Sequence, residues 1–416
     1  MSLIRPFRGL RPAPGQAGAV AAPPYDVLSS DEARRIVHGG AAGKPWSFLH
    51  ISKPEIDLAP DIDPYAPEVY AKAAENLQKM LAAGVLVRDD APCYYAYRLT
   101  MPGDDGDHVQ TGLVAASSVA DYDSNRIRKH EFTRPDKEDD RVRQIEALNA
   151  QTGPVLLAYP DSSVADTLID AIAQGTPAAD VTAEDGIRHQ IWGLTDTAQI
   201  EAITRTFDAM KALYIADGHH RSAAASRVAA ARHQQGRDTS ADCFLSVIFP
   251  HHQMKILDYN RVVKDLNGLD ESTLVARLAT AFTVEDSAQR VHPARPGEFG
   301  MYLAGRWRKL GIKPELIPAD PVARLDVSLL SDHVLAPLLG IADLRRDKRI
   351  DFVGGIRGLA ELEKRVDSGE MAVAFALHPT RMDQLMAVAD SNEVMPPKST
   401  WFEPKLADGL VSHVLD

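Results

Sequence analysis

Hydrophobic residues recur along the chain with helix-like spacing in some segments and strand-like spacing in others. In the segment 67–83 they lie three or four residues apart, which predicts an amphipathic helix that ends at Gly84. The apolar segments 93–101 and 109–119 flank a stretch rich in Gly and Asp and are typical of a β-hairpin. Because no period repeats, we expect a mixed α and β protein rather than a solenoid.

The most informative segment is 211–236, which reads KALYIADGHHRSAAASRVAAARHQQG. Its pattern predicts a short buried strand over 213–216, a turn at Asp217 and Gly218, and an Ala-rich helix over 222–233. Polar, ionisable residues therefore stand between a strand and a helix, which is where functional sites of layered α and β proteins collect.

A second set of helix and strand patterns begins after about residue 260. We therefore expect an α+β chain (mixed α/β) with two domains. A nucleotide-binding or catalytic domain would span 1–260, and a smaller α+β domain would span 261–394. A C-terminal strap, 395–416, would return to the first domain.

The charge balance narrows the class of partner. The 416 residues include 46 Lys and Arg against 58 Asp and Glu, so the formal net charge is −12. Such a chain has no broad positive field to attract a phosphate backbone, which argues against nucleic-acid binding.

Cysteine content and hydropathy bear on location. Cys93 and Cys243 are far apart and form no CxxC pair, so the sequence predicts neither a disulfide framework nor a thiolate zinc site. No apolar run approaches the roughly 20 residues needed to cross a bilayer. We expect a cytoplasmic chain without a signal peptide or a membrane span.

The turn before the Ala-rich helix carries the strongest chemical signal. Backbone N–H groups and the dipole at a helix start favour an anion, and Gly218 lets the backbone approach it closely. Arg221 offers a bidentate guanidinium, His219 and His220 offer donors, and Asp217 could hold Mg²⁺ or act as an N-cap. The alternative is a capped helix with solvated histidines.

A second candidate is Glu131, which lies in the charged segment 128–134. A carboxylate of this kind can act as a general base, and its cationic neighbours can bind phosphate. Arg134 stands where the second histidine of a zinc-binding HExxH helix would be, so that motif is excluded. The alternative is a solvated loop.

The tail offers two cations and two hydroxyls for phosphate, and two aromatic rings that could stack on a base: Lys398, Ser399, Thr400, Trp401, Phe402 and Lys405. The equal alternative is a strap that packs its aromatic rings on the core. Elsewhere, His251 and His252 could be metal ligands, although neighbouring histidines in a loop more often face solvent.

Five segments carry a family resemblance: RPFRGLRP, APPYDVLS, KHEFTRPDKEDDR, YIADGHHRSAAASR and MPPKSTWFEPKLADGLV. In this order along the chain they resemble a bacterial and archaeal family catalogued as a domain of unknown function. The ADGHHR turn with its helix also resembles the nucleotide-binding motif of the ParB and sulfiredoxin superfamily. That superfamily includes chromosome-partition CTPases and free L-serine kinases.

The second resemblance implies a ParB/sulfiredoxin-like nucleotide-binding core. The resemblance also implies that, in the kinases, a glutamate activates the serine hydroxyl while the turn and its arginine bind the nucleotide phosphates and Mg²⁺. Asp217, Gly218, His219 and Arg221 match that motif in this chain. Glu131 is assigned by chemistry and order along the chain.

The leading hypothesis is a Mg²⁺-dependent phosphotransferase, a kinase that moves a phosphoryl group from ATP or ADP to a small hydroxyl substrate, with free L-serine as one candidate. Glu131 would take the hydroxyl proton, Asp217 would hold the metal, and His219, His220 and Arg221 would contact phosphates. Residues near the two termini would close the site: Arg5, Arg8, Lys398, Ser399, Thr400 and Lys405.

Two other classes stay open. One is a nucleotide sensor or partner-binding module without turnover of a small molecule, and the other is a phosphatase or nucleotidase with water as the nucleophile. Partition proteins follow the motif with a helix-turn-helix, whereas strand patterns follow it here. The oligomeric state is open.

Overall fold

The computed structural model describes residues 2–40, 43–103, 106–236 and 240–416. The strands are β1 Ile4–Arg5, β2 Gly9–Pro12, β3 Leu86–Arg88, β4 Tyr94–Met101, β5 His108–Ser118, β6 Ile127–Arg128, β7 Ala150–Gln151, β8 Val155–Tyr159, β9 Ala179–Thr182, β10 Arg188–Leu194, β11 Leu213–Asp217, β12 Cys243–Pro250, β13 Lys255–Leu257, β14 Tyr259–Val263, β15 Phe282–Ser287, β16 Glu298–Leu303, β17 Arg306–Ile312, β18 Ile350–Gly354, β19 Val373–Leu377, β20 Trp401–Glu403 and β21 Ser412–Val414.

The helices alternate with these strands, so the expectation of a mixed α/β chain is confirmed. They are α1 Ala17–Val20, α2 Ser30–His38, α3 Leu49–Ser52, α4 Pro67–Ala82, α5 Val119–Asp123, α6 Pro135–Leu148, α7 Ser163–Ile172, α8 Thr197–Asp208, α9 His219–Gln234, α10 Glu271–Leu278, α11 Asp326–Leu330, α12 Gly358–Asp367 and α13 Met382–Asp390. Among the described residues, none of the helices has both the length and the apolar character required to cross a membrane.

The chain divides into two compact units, one formed by 1–254 with 404–416 and the other by 255–403. The sequence pattern predicts the first boundary at 260, six residues later, and the start of the returning strap at 395, nine residues earlier. Strands β13 and β14 both belong to the second unit, so the predicted boundary at 260 falls within β14.

The first unit is built on a mixed sheet with the strand order β6-β11-β8-β12-β5-β4-β10-β9, to which β1 adds beside β5. A smaller sheet joins both ends of the chain in the order β3-β2-β21-β7. Helix α9 packs on the large sheet through buried Ala224, Ala225, Val228 and Ala229. Such small side chains let a helix lie close to a sheet.

The second unit is also mixed. Its larger sheet has the order β15-β17-β16-β19-β14-β18, and β13 pairs with β20 in a separate ribbon. Helix α12 contributes Leu359 and Leu362 to the core of this unit, where they join Trp307 and Tyr302.

Several local predictions are confirmed. The helix expected over 67–83 is α4, with Pro67 in its first turn and Gly84 in the left-handed region at φ +67°. The hairpin expected between 93 and 119 is the antiparallel pair of β4 and β5, in which Tyr97 faces Gly112. Two residues of its turn, Asp104 and Asp105, lie outside the described residues.

The predicted start of the Ala-rich helix is wrong by three residues. The helix α9 begins at His219 rather than at Ser222, because Gly218 adopts φ +98° and serves as the N-cap. His219, His220 and Arg221 are therefore residues of the first helical turn. Asp217 is the last residue of β11 and does not cap the helix.

Candidate active site

Parallel pairing of two strands brings distant segments of the first unit together. Ile127 of β6 lies beside Leu213 of β11, and the two strands run in the same direction. The loops that follow parallel neighbours leave the sheet at the same edge. The loop after β6 carries Glu131, and β11 leads into the turn at Gly218.

Gly218 fixes the geometry at the start of α9. Its φ of +98° lies in the left-handed region, which is strained for residues with a Cβ. A Cβ at this position would also lie 3.1 Å from Nε of Arg221 and 3.3 Å from Cα of Val155. The Gly218 N–H donates to Oδ1 of Asp217 at 2.9 Å. At the helix start the Arg221 N–H donates to the Gly218 carbonyl at 2.9 Å, and the N–H groups that precede it stand at the positive end of the helix dipole.

His219 links the helix to the loop that carries Glu131. Nδ1 of His219 lies 3.5 Å from Oε2 of Glu131, and the backbone N–H of His130 donates to Nε2 of the same ring at 3.4 Å. Since Nε2 accepts a hydrogen bond, the neutral ring carries its proton on Nδ1 and directs it towards the carboxylate. The structure thus brings Glu131 next to the turn, with its side chain 53% exposed.

The two buried histidines of this cluster are neutral near pH 7. Burial lowers the pKa of His130 to about 4. Burial, together with the neighbouring His130 and His220, holds the pKa of His219 well below its ordinary value. The rings pack edge to face, with centroids 4.5 Å apart. A neutral His219 can orient the carboxylate of Glu131 without neutralising its charge.

Arg221 stands at the centre of a cluster of charges. Its Nη2 lies 3.7 Å from Oδ2 of Asp217 and 3.8 Å from Oδ2 of Asp26, and its Nη1 donates to the carbonyl of Pro154. Burial by itself lowers the pKa of Arg221, but the carboxylates of Asp26 and Asp217 raise it above the ordinary value. The Arg221 side chain is only 12% exposed, and its guanidinium remains charged.

Lys405 reaches the same carboxylate from the C-terminal segment. Its Nζ lies 3.8 Å from Oδ2 of Asp217. Burial tends to raise the pKa of Asp217, but Lys405 and Arg221 hold it below the ordinary value. Asp217 is therefore ionised near pH 7, and two cations flank it.

Local sequence patterns do not indicate several of the residues beside Arg221. A cavity of about 30 Å³ lies there, and its lining includes Tyr25, Arg141 and Asp408. The guanidinium of Arg141 stacks on the ring of Tyr25 at 4.0 Å from its centroid. Asp408 is buried and accepts from the Tyr25 N–H at 3.3 Å. Burial raises its pKa to about 7, although Arg221 acts in the opposite direction.

A signal for these residues was present in the chain. Tyr25 and Asp26 belong to the segment APPYDVLS, and Asp408 belongs to MPPKSTWFEPKLADGLV. Both segments carry the family resemblance, but no pattern within either one indicates that it lies beside Arg221.

His220 holds the loop that carries Glu131. The backbone N–H of Arg134 donates to Nε2 of His220 at 3.0 Å. Burial lowers the pKa of this ring as well. This nitrogen therefore acts as an acceptor for the loop and does not present a proton to an anion.

The structure places the N-terminal arginines in other contacts. Nε of Arg8 donates to the carbonyl of Asp89 at 2.9 Å. Arg5 lies in β1, where it pairs with Ala116 of β5. A direct role of either arginine at the Gly218 turn stays a prediction.

Of the predicted tail residues, Lys405 belongs to the first unit and the others to the second. In the second unit, Nζ of Lys398 lies 5.7 Å from the ring centroid of Tyr259, and the Ser399 hydroxyl donates to the carbonyl of Pro396 at 2.6 Å. Thr400 follows immediately, before β20. Their proposed contact with phosphate stays a prediction.

Two kinds of metal donor occur at this site. The carboxylates of Asp26 and Asp217 are oxygen donors of the type that Mg²⁺ prefers. Ligand atoms of His130, Glu131 and His219 lie within 4.8 Å of one another. Their nitrogen donors suit a transition ion such as Zn²⁺ better than Mg²⁺. The oxygen donors beside Arg221 are therefore the better fit for Mg²⁺.

Comparison with solved structures finds distant similarities. A variant of a free serine kinase in complex with AMP is 14% identical, with 69% of this chain and 90% of that chain covered and a TM-score of 0.34. A C-terminally truncated SbnI from Staphylococcus aureus is 12% identical, with 70% and 84% covered and a TM-score of 0.36. A conserved hypothetical protein from Pyrococcus furiosus is 16% identical, with 68% and 91% covered and a TM-score of 0.31.

No protein with curated annotation matches the chain. A family model does match, over residues 4–328, and its description is "Protein of unknown function (DUF1015)". The match spans most of the chain, including the Glu131 loop and the turn at Gly218. The chain therefore belongs to the DUF1015 family.

Proposed function

We propose that this protein binds a nucleotide at the start of α9 and transfers a phosphoryl group from it to a small hydroxyl substrate. The observation that carries the proposal is the meeting of two loops at one sheet edge. There the carboxylate of Glu131 lies 3.5 Å from Nδ1 of His219, at the helix start that also carries Arg221. A base for a hydroxyl thus lies against the helical turn that carries a cation for phosphate.

Each group has a role in this reaction. The carboxylate of Glu131 takes the proton of the substrate hydroxyl, whose oxygen forms a new bond to phosphorus. The bond between that phosphorus and the bridging oxygen of the nucleotide breaks, and the shortened nucleotide leaves with the electron pair. Arg221 and Lys405 offset the negative charge that spreads over the phosphoryl oxygens.

The proposal includes Mg²⁺ because carboxylate oxygens that could bind the ion lie beside Arg221. Asp217 and Asp26 would hold the ion, which neutralises charge on the nucleotide phosphates when bound. The helix start, with its N–H groups and its dipole, favours the same anion. The resemblance of the ADGHHR turn to the ParB/sulfiredoxin nucleotide motif supports this assignment, and it makes free L-serine one candidate for the acceptor.

The remaining expectations belong to the same proposal. Cys93 and Cys243 are buried free thiols, which agrees with action in the reducing cytoplasm. The proposed partners are a nucleotide and a small molecule rather than a nucleic acid, in keeping with the net charge of −12.

The direct test supplies ATP or ADP with Mg²⁺ and a pool of amino acids, and follows products by phosphorus NMR and mass spectrometry. A phosphorylated amino acid supports the proposal. Release of inorganic phosphate alone favours the hydrolase, and tight nucleotide binding without turnover favours the sensor.

Two variants with matched controls test the roles. Glu131→Gln should abolish turnover and leave the nucleotide Kd unchanged, whereas Glu146→Gln, an exposed carboxamide substitution on α6, should change neither. Arg221→Ala should raise the nucleotide Kd about ten- to a hundredfold, from roughly 1.5 to 3 kcal/mol for one charge-assisted hydrogen bond. Arg227→Ala, further along α9, should not. Reversal of the effects of the Glu131 and Arg221 variants would reverse the two assignments.

A further inference from the structure

A second group of polar side chains lies where two other strands of the large sheet end. Strands β8 and β12 are parallel, and Tyr159 of one lies beside Pro250 of the other. The residues that follow, Asp161 after β8 and His251 with His252 after β12, therefore leave the sheet side by side. This is the same topological reason that brings Glu131 to the Gly218 turn, but it acts on different strands.

The distances between the three side chains are informative. Oδ1 of Asp161 lies 3.6 Å from Nδ1 of His251 and 3.3 Å from Nδ1 of His252. Ligand atoms of all three residues lie within 4.8 Å of one another. The longer of the two distances exceeds the range of an ordinary hydrogen bond, and both fall within that of an ion pair. They match the ligand-to-ligand edge of a tetrahedral site, which is about 3.4 Å for metal–ligand bonds of about 2.1 Å.

The environment of His251 also indicates that its side chain binds a metal ion. Its Nδ1 is buried and has no hydrogen-bond partner among the described residues, although buried polar atoms are normally paired. Asp161 and His252 are 82% and 46% exposed, so an ion can reach the group from solvent. A partner for the buried nitrogen would then come from outside the protein.

The turn that carries the two histidines is held in place. Oε1 of Gln253 accepts from the backbone N–H of Thr111 at 2.8 Å, which ties the end of the turn to β5. The rings of His251 and His252 stand almost perpendicular, with centroids 5.8 Å apart. Donors fixed by packing and hydrogen bonds are a requirement of a metal site.

We propose that Asp161, His251 and His252 bind a divalent transition metal ion of the Zn²⁺ class. Two imidazole nitrogens and one carboxylate oxygen favour Zn²⁺, Co²⁺, Ni²⁺ or Cu²⁺ over Mg²⁺ and Ca²⁺. Three protein ligands leave the fourth tetrahedral position to water or to an external donor. The ion joins the ends of β8 and β12.

This site is separate from the one built on Gly218. Strand β11 runs antiparallel to β8, so Asp217 pairs with Leu156 near the start of β8, whereas Asp161 follows the end of that strand. Leu156 and Tyr159 alone are roughly 10 Å apart along the strand. The metal proposal thus does not depend on the proposed phosphoryl transfer.

The test uses the untagged full chain after removal of metals with a chelator. Titration with Co²⁺ should produce the visible absorption of a tetrahedral site, and Zn²⁺ should raise the thermal unfolding midpoint by binding the folded state. Asp161→Asn and the double variant His251→Ala/His252→Ala should each raise the Co²⁺ Kd at least tenfold. Loss of a residue that hydrogen-bonds a metal ligand already weakens metal binding at least tenfold, and loss of the ligand itself should weaken it no less. His233→Ala, which removes an exposed histidine paired with Asp242, is the matched control.

The competing donor group at the candidate active site gives the decisive comparison. If Glu131→Gln removes the Co²⁺ absorption and the double histidine variant retains it, the ion binds at His130, Glu131 and His219 and the proposal is wrong. Absence of Co²⁺ binding to the wild-type chain would also overturn it. Because Asp161 is almost fully exposed, Asp161→Asn separates loss of a ligand from loss of the fold.

Discussion

Replacing Gly218 with alanine tests the geometry at the start of α9. A residue with a Cβ at φ +98° loses roughly 1 to 2 kcal/mol of folding free energy. The new Cβ would also lie 3.1 Å from Nε and 3.2 Å from Cζ of Arg221, and 3.3 Å from the backbone of Val155. Since the backbone of Val155 is fixed in β8, the guanidinium moves away from its position between Asp26 and Asp217.

The expected result is a loss of both stability and nucleotide affinity. Urea unfolding should show the loss of roughly 1 to 2 kcal/mol. Isothermal titration with ATP or ADP should show a Kd about tenfold higher, which corresponds to about 1.4 kcal/mol and to the lower end for a charge-assisted hydrogen bond.

Gly84→Ala is the matched control, because Gly84 also has a positive φ, +67°, but a Cβ there meets nothing within 4 Å. It should lose similar stability and keep the wild-type nucleotide Kd. If both variants bind the nucleotide as the wild-type chain does, Arg221 does not contact it and the reasoning fails. An equal loss of affinity in both would trace the effect to general destabilisation.

Three further variants test buried groups by urea unfolding. Burial raises the pKa of Asp408 to about 7, so the folded chain still binds this proton at pH values where the unfolded chain has released it, and stability falls as pH rises. Relative to Asp408→Asn, the wild-type chain should therefore lose roughly 3 kcal/mol of stability between pH 5 and pH 8. Equal pH profiles of the two chains would contradict the assignment. Burial lowers the pKa of His189 to about 4, and its ring is hydrogen-bonded to the Tyr97 hydroxyl at 2.7 Å. The contribution of the His189 ring to folding stability is complete above pH 6.5 and is lost as pH falls towards 4. His189→Gln should therefore reduce the loss of stability at pH 5 by roughly 2 kcal/mol. An unchanged acid unfolding profile would contradict this prediction. Gly409→Ala should cost about 2 to 4 kcal/mol, because φ is +88° and the Cβ would lie 2.6 Å from Cγ of Phe48; a wild-type midpoint would show that Phe48 moves freely.

Local features of the site were accessible from the sequence. The apolar residues before Asp217 predict a buried strand, and β11 is that strand. The pattern of hydrophobic residues begins only after Arg221 and predicts the helix start too late, because the conformation of Gly218 sets the true start at His219. Propensity and periodicity report on several residues together, whereas one left-handed glycine decides where a helix begins.

Contacts between distant segments could not be read in this way. Asp26 approaches Arg221 across 195 positions of the chain, and Lys405 approaches Asp217 across 188. The parallel register of β6 with β11 determines which carboxylate meets His219. The local sequence does not predict that register, because the register depends on how all strands of the sheet pack together.

By itself, the amino-acid sequence determined the elements of this protein: a strand, a glycine turn and an Ala-rich helix with cationic and acidic side chains at their junction. Tertiary structure alone decided which residues surround that junction: it places Tyr25, Asp26 and Asp408 around Arg221 and buries the rings of His130 and His219. The physical reason is that backbone preferences act over a few residues, while burial and charge pairing depend on which surfaces the sheet brings into contact.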